Sequence, residues 1–185
     1  MEHKEIERIM RRALVEPTVF VLSVDANGKP NGMAAGWNMK VSYSPPMLAV
    51  ALHDIKNTHK LILKSKEFVV VVPSKEQREL LEYFGSVSGK DVDKIKESGV
   101  EMLPGTVGKT PLLKNARVNF ECKLHSWVKP ADHYVFFGEI KAAHLDEEKE
   151  QLFYTGRNAD RRRTFSSIGG AKGLGEILGS EKWLT

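Results

Sequence analysis

Residues 23–58 read SVDANGKPNGMAAGWNMKVSYSPPMLAVALHDIKNT, and the fold turns on them. An alternating apolar run ends at Val24 and meets Asp25, Ala26, Asn27 and Gly28. Asn and Gly take positive φ at low cost, so this spacing predicts a tight connection between two antiparallel strands. Beyond Pro30, small residues interrupt what would otherwise be a strand, NGMAAGWNM over residues 31–39, and leave little side-chain bulk over the backbone. A flat group can approach such a backbone closely. Ser42 and Ser44 lead into Pro45 and Pro46, which fix φ and remove two N–H donors before the apolar residues 47–52. That reads as a corner in a sheet. Asn57 and Thr58 stand directly before a helical pattern over residues 59–66, where either could cap the helix and leave backbone N–H groups for an anion. A bare shelf, a neighbouring Trp37 and a capped helix start suit a flat, phosphorylated ligand. An ordinary antiparallel barrel with a buried tryptophan reads from the same residues without one.

Outward from this stretch, residues 3–15 place Ile6, Ile9, Met10 and Ala13 at helical spacing among charged residues, which predicts an amphipathic lid packed on the barrel. Residues 18–25 and 29–37 make the first hairpin, and 38–44 with 47–53 continue the sheet. Helix 59–66 turns Leu61 and Ile62 inward. Residues 67–73, EFVVVVP, form a nearly uniform apolar strand and belong in a central position. Ser74 is placed to cap a helix over 75–84. Residues 85–98 read as a loop and a short charged helix, and 99–115 carry enough Gly, Pro and Lys for a long excursion. Two long strands follow, 117–128 and 133–144, joined at 129–132 so that His133 lies beside the turn.

A chain of 185 residues fits one domain with a single core. Its 28 Lys and Arg against 24 Asp and Glu leave a net charge of +4, spread as on a solvated surface. A nucleic-acid-binding barrel would have to rest on Arg161, Arg162 and Arg163, a triplet that more often is a solvated turn or a clamp for a cofactor phosphate, so no nucleic-acid partner is expected. The single Cys122 cannot form an intramolecular disulfide, the amino terminus lacks the apolar core of a signal peptide, and the longest apolar run, residues 68–72, is far short of the about 20 residues of a membrane helix. A cytoplasmic protein with no membrane partner is expected. Residues 105–110, GTVGKT, end like a P-loop, but the first glycine position holds Leu103 and no strong strand precedes it. Gly173 and Gly175 begin like a dinucleotide fingerprint whose third glycine position is Leu178. The six histidines are dispersed, and His53 and His59 lack metal-ligand spacing, so no metal is expected.

The order of the pieces carries more than any one of them. Asn31 and Trp37 with five residues between, Ser42 to Leu48 as Ser-x-x-Pro-Pro-x-Leu, then Asn57 and Thr58 before a helix, resemble the flavin reductase-like FMN-binding split-barrel family, and most of all its flavoredoxins. The likeness continues through Phe84-Gly85, Ser88-Gly89-Lys90, Asp93-Lys94, Pro111-Leu112-Leu113 and the strand from Asp132-His133 to Phe137-Gly138, over most of residues 15–145. The resemblance implies a mainly β fold with some α, an antiparallel split β-barrel with short helices packed around it, over residues 1–155. Residues 156–185 would be a tail packing on the ligand site or on a partner subunit. It implies FMN as cofactor, NADH or NADPH or a redox protein as electron partner, and a homodimer with the flavin at the interface. The residues it assigns to the flavin are Asn31, Ala35, Gly36, Trp37, Asn38, Met39, Ser42, Ser44, Asn57, Thr58, Ser88, Lys90, His133 and Phe165. No side chain is assigned as a catalytic acid or base, because the cofactor carries the chemistry; backbone N–H groups of residues 35–39 would meet the negative charge of a reduced flavin. Read from the residues alone, Trp37 is either a core plug or a pocket wall, His133 either a ligand contact or a hairpin residue held by Asp132, and Lys90 either a phosphate partner or a solvated lysine. The function implied is that of an FMN-binding oxidoreductase, a flavin reductase or a flavoredoxin-like electron carrier; the alternative is a non-catalytic flavin- or haem-binding module.

Overall fold

The structure is a computed structural model that describes residues 3–10, 15–158, 160 and 162–169. Helix α1 (His3–Met10) is followed by β1 (Val19–Val24), β2 (Pro30–Ala35), β3 (Asn38–Tyr43), β4 (Pro46–His53), α2 (Thr58–Ser65) and β5 (Glu67–Val72). A 3-10 turn (Lys75–Gln77) runs into α3 (Arg78–Ser86), and α4 (Lys94–Ser98) precedes the short strands β6 (Met102–Leu103) and β7 (Leu112–Leu113). The long strands β8 (Val118–Val128) and β9 (His133–Leu145) come next, then a hairpin of β10 (Gln151–Arg157) and β11 (Arg163–Ile168). Seven strands make one antiparallel sheet in the order β2-β1-β5-β8-β9-β4-β3. One core joins Ala35 of β2 to Leu48 and Val50 of β4, near opposite ends of that order, so the sheet curls into a split barrel.

The uniform apolar character of β1 and β5 follows from burial of both their faces. Val19 and Val21, with Phe68 and Val70, point into the barrel. Phe20 and Leu22, with Val69 and Val71, point outward into a second core closed by Leu81 and Phe84 of α3, the two leucines of β7 and Leu152 of β10. Neither strand has a wet face, so the period-2 signal disappears and the strand sits mid-sheet, as residues 67–73 suggest. Phe20 meets Phe84 edge to face at 5.3 Å between ring centroids. The first hairpin closes as its composition predicts: Asp25 Oδ1 accepts the N–H groups of Asn27 and Lys29 at 2.8 and 2.9 Å, and Gly28 takes φ 81°.

Several local expectations change. Asn57 occupies the N-cap of α2 without a side-chain cap, and Thr58 is its first residue and buried; Leu61 and Ile62 turn inward as expected. The helix after Ser74 begins as the 3-10 turn, where Gln77 Oε1 accepts the Ser74 N–H at 3.1 Å, and runs to Ser86. Helix α1 is described only as far as Met10, so Ala13 lies outside the described residues. Its His3, Ile6, Glu7 and Met10 share one face along a cleft, but none is buried. The hairpin β10–β11 was not anticipated: it runs across the expected boundary at 155/156, buries Leu152, and pairs Tyr154 with Glu16 through two 3.1 Å backbone hydrogen bonds. Residues 170–185 of the expected tail lie outside the described residues.

The excursion over residues 99–115 is pinned by two carboxylates. Glu121 accepts from the N–H groups of Thr106 and Val107 and from Thr106 Oγ1. Glu67 accepts from the N–H groups of Lys109 and Thr110 at 2.6 and 2.8 Å and pairs with Lys123 at 2.7 Å. The donors that a P-loop would offer to phosphate are therefore spent on the protein's own acids, which removes the P-loop reading on physical grounds. Among the described residues no helix is long and apolar enough to cross a membrane.

Candidate functional site

A cleft of about 700 Å³ opens beside the start of β9, within the size range of small-molecule sites. Its floor is the end of β2 and the following turn, Met33, Ala34, Ala35, Gly36 and Trp37, where the small residues leave backbone accessible. Trp37 is half exposed and stacks on His133, with ring centroids 4.5 Å apart and planes inclined by 24°. His133 Nδ1 lies 2.7 Å from Asp132 Oδ1, and the His53 ring is 4.9 Å from that of His133. The His133 bond lowers the Asp132 carboxyl from its ordinary range, and the Lys129 ammonium at 2.7 Å does the same for Asp54. Lys56, with Arg157 and Arg163 of the terminal hairpin, adds positive charge to the walls; Glu7 and Glu16 add negative charge. A Cβ on Gly36 would collide with the Glu16 carboxylate, so that side chain lies directly over the shelf.

Next to this cleft is a smaller, polar depression of about 360 Å³, bounded by Asn31, Asn57, Leu61, Lys90 and Lys94. Lys56 lines the larger space and its neighbour Asn57 the smaller. Lys90 Nζ donates to the Ile55 carbonyl at 3.0 Å, tying the turn after α3 to the loop after β4. Lys94 is buried, and its Nζ donates to the carbonyls of Gly32 and Phe84 at 3.1 and 2.8 Å; burial, with Lys56 nearby, pushes its pKa down to about 8.

Of the residues expected at a flavin, the structure gathers Ala35, Gly36, Trp37, His133 and Phe165 in the large cleft and Asn31, Asn57 and Lys90 in the small one. Ser88 shapes the turn that presents Lys90, its Oγ accepting the Lys90 N–H at 3.2 Å. Thr58 is buried at the start of α2, and Asn38 turns its amide onto the carbonyls of Pro17 and Gly36. Met39, Ser42 and Ser44 border neither space. Ser42 and Ser44 sit at the β3–β4 tip, about 20 Å along the hairpin from Trp37 at about 3.3 Å per residue. Glu16, His53, Lys56, Tyr154 and Arg157 line the cleft without being expected there, and Arg163, one of the three arginines read as a solvated turn or a clamp for a cofactor phosphate, lines it too. The sequence signal for Arg163 is its own place in the arginine triplet 161–163.

Residues 10–162 match the family described as flavin reductase like domain. The chain belongs to that family. An uncharacterized protein of Pyrococcus abyssi is 35% identical over 136 residues, covering 73% of this chain and 78% of the relative. A flavin reductase of Pseudomonas putida is 31% identical over 137 residues, covering 74% and 77%. The flavoredoxin of Methanosarcina acetivorans superposes with a TM-score of 0.72 at 28% identity, covering 89% of this chain and 92% of that one. The flavin reductase like fold thus accounts for the split barrel, and the small-residue shelf, Trp37 and an opening of this size fit a flat tricyclic group once the Glu16 side chain turns aside.

Proposed function

We propose that this protein is an FMN-binding oxidoreductase that takes reducing equivalents from NADH or NADPH and passes them on through the flavin. The observation that carries the reading is the shelf of Ala34, Ala35 and Gly36 beside the Trp37–His133 stack in a cleft of about 700 Å³, in a chain of the flavin reductase like family. FMN supplies the hydride-accepting chemistry when bound. The protein's part is placement: backbone of residues 35–37 faces the ring, Trp37 and Phe165 supply aromatic walls, and the cationic groups Lys56, Arg157 and Arg163 favour an anionic ligand. We also take the protein to act as a homodimer, a reading supported by exposed Met39, Val41 and Tyr43 alternating along edge strand β3 and by exposed Trp127 and Val128. A reducing, cytoplasmic setting suits the buried Cys122 thiol, which burial pushes up to about 12.

An absorbance spectrum of the freshly purified protein between about 300 and 600 nm, followed by anaerobic NADH and then NADPH, tests the proposal. Flavin bands that bleach with a nicotinamide are the expected result and name the donor. Bands that bleach only with dithionite would replace the reductase by an electron carrier or a flavin sensor. A colourless protein that fails to take up added FMN would overturn the reading.

A further inference from the structure

We propose that Arg157 and Arg163 together form a site for a phosphate monoester dianion on the wall of the cleft. Strands β10 and β11 place these two residues directly opposite each other, and both line the cleft. Residues in directly opposed cross-strand positions carry their side chains on the same face, so one anion there can be shared by both guanidiniums. The planar fork of arginine matches phosphate oxygens in pairs of parallel hydrogen bonds, and two forks side by side can embrace one dianion.

The neighbouring helix is shaped to receive one of the forks. The Arg163 guanidinium rests on the bare backbone of Gly85, with Nη1 2.8 Å from where a Cβ would stand. Gly85 is in the last turn of α3, where backbone carbonyls favour a cation. Any side chain at position 85 displaces the guanidinium. Lys56 adds a third cation to the cleft, and Glu7 and Glu16 supply negative charge there in the ligand-free protein. A phosphate dianion brings two charges to the pair in one group.

The inference rests on the flavin reading of the cleft, and the chemistry has two sources within it: the 5′-phosphate of FMN and the 2′-phosphate of NADPH. Each has a counterpart lacking the phosphate, riboflavin and NADH. Wild type, Arg157→Gln, Arg163→Gln and Gly85→Ala are compared by fluorescence titration with FMN and riboflavin, by KM for NADPH and NADH, and by the rise in Tm that inorganic phosphate produces. The expected result is a loss of about tenfold for one phosphorylated ligand relative to its counterpart in both arginine variants. A fall in the FMN to riboflavin ratio assigns the pair to the flavin phosphate; a fall in the NADPH to NADH ratio assigns it to the nicotinamide. Gly85→Ala produces the same selective loss with an unchanged Tm, because the clashing atom is the end of a flexible side chain. Flavin binding with both ratios unchanged in all three variants overturns the inference and leaves the flavin reading intact. If wild type binds neither flavin, that reading fails. The arginine pair is then decided by inorganic phosphate, which must raise the Tm of wild type and not of the arginine variants.

Discussion

Glu16 places a carboxylate over the one residue of the shelf that has no side chain. Its backbone is fixed, because its N–H and C=O both bond Tyr154 of β10. The side chain, however, is free to turn about its own bonds, and a flat ligand reaching Gly36 must displace it. Displacement carries a cost, and the carboxylate then shares the cleft with the negatively charged phosphate of FMN. Replacing Glu16 by Gln removes the charge and keeps the shape. Glu16→Gln is expected to tighten FMN binding by roughly fivefold, the equivalent of about 1 kcal/mol for one charge near solvent. Fluorescence quenching of FMN at two ionic strengths measures it: the gain should shrink with added salt. An unchanged affinity would mean that the Glu16 charge does not oppose the ligand, and a weaker one that Glu16 holds it.

At the scale of elements, the loop between β6 and β7 shows how a charge can do the work of a missing strand. Burial pulls the Glu121 carboxyl upward, yet bonds from Thr106, His144 and the backbone of Val107 outweigh it and hold the pKa down to about 2. A glutamate with a depressed folded-state pKa contributes stability that is full above the ordinary carboxylate range and lost as pH falls towards 2. Glu121→Gln should therefore cost about 2 kcal/mol at neutral pH, and the gap to wild type should close as acid protonates the native carboxylate. Urea unfolding between about pH 7 and pH 2 reads this directly; a gap that stays constant would show that shape, not charge, holds the loop. No local pattern announces this clasp, since Glu67 and Glu121 reach the loop from 42 and 15 residues away. By contrast, the first strands were legible because their signal is local: β1, β4 and β5 are apolar runs, and Asn-Gly and Pro-Pro mark the turns of the two hairpins around them. The hairpin β10–β11 was not, since only Leu152 of its residues is buried and the nearby glycines and arginines look like a tail. The same distinction governs the site. Trp37 and the small residues before it announce a shelf in one continuous stretch. Ser42 and Ser44 looked like part of it through nearness in sequence, and the β3–β4 hairpin carries them to its far end. Arg157 and Arg163 become neighbours only through the register of two strands that sequence had left unpaired.

Across the whole molecule, Lys94 ties the sheet to the helices that flank the cleft. From the first turn of α4 its ammonium reaches the carbonyl of Gly32, in the strand that becomes the shelf, and that of Phe84, beside the Gly85 on which Arg163 rests. The Phe84 ring lies 5.5 Å from the same nitrogen. One buried side chain thus sets the spacing between the cleft floor and one of its walls. Its pKa of about 8 fixes the sign of its pH dependence. Between that value and the ordinary lysine range the unfolded chain holds more protons than the folded one, so this residue makes stability rise with pH across the window. Lys94→Met leaves the two carbonyls without that donor and should cost about 1–3 kcal/mol at neutral pH. It also removes the rise. Tyr83 and Cys122, both raised, titrate in wild type and variant alike and cancel in the difference. The free-energy gap between the two proteins should therefore widen from about pH 8 to about pH 10, as measured by urea unfolding in matched buffers. A gap that is level across that range would mean that the ammonium is charged at no net cost in the fold, and that a counter-charge reaches it from outside the Gly32–Phe84 frame.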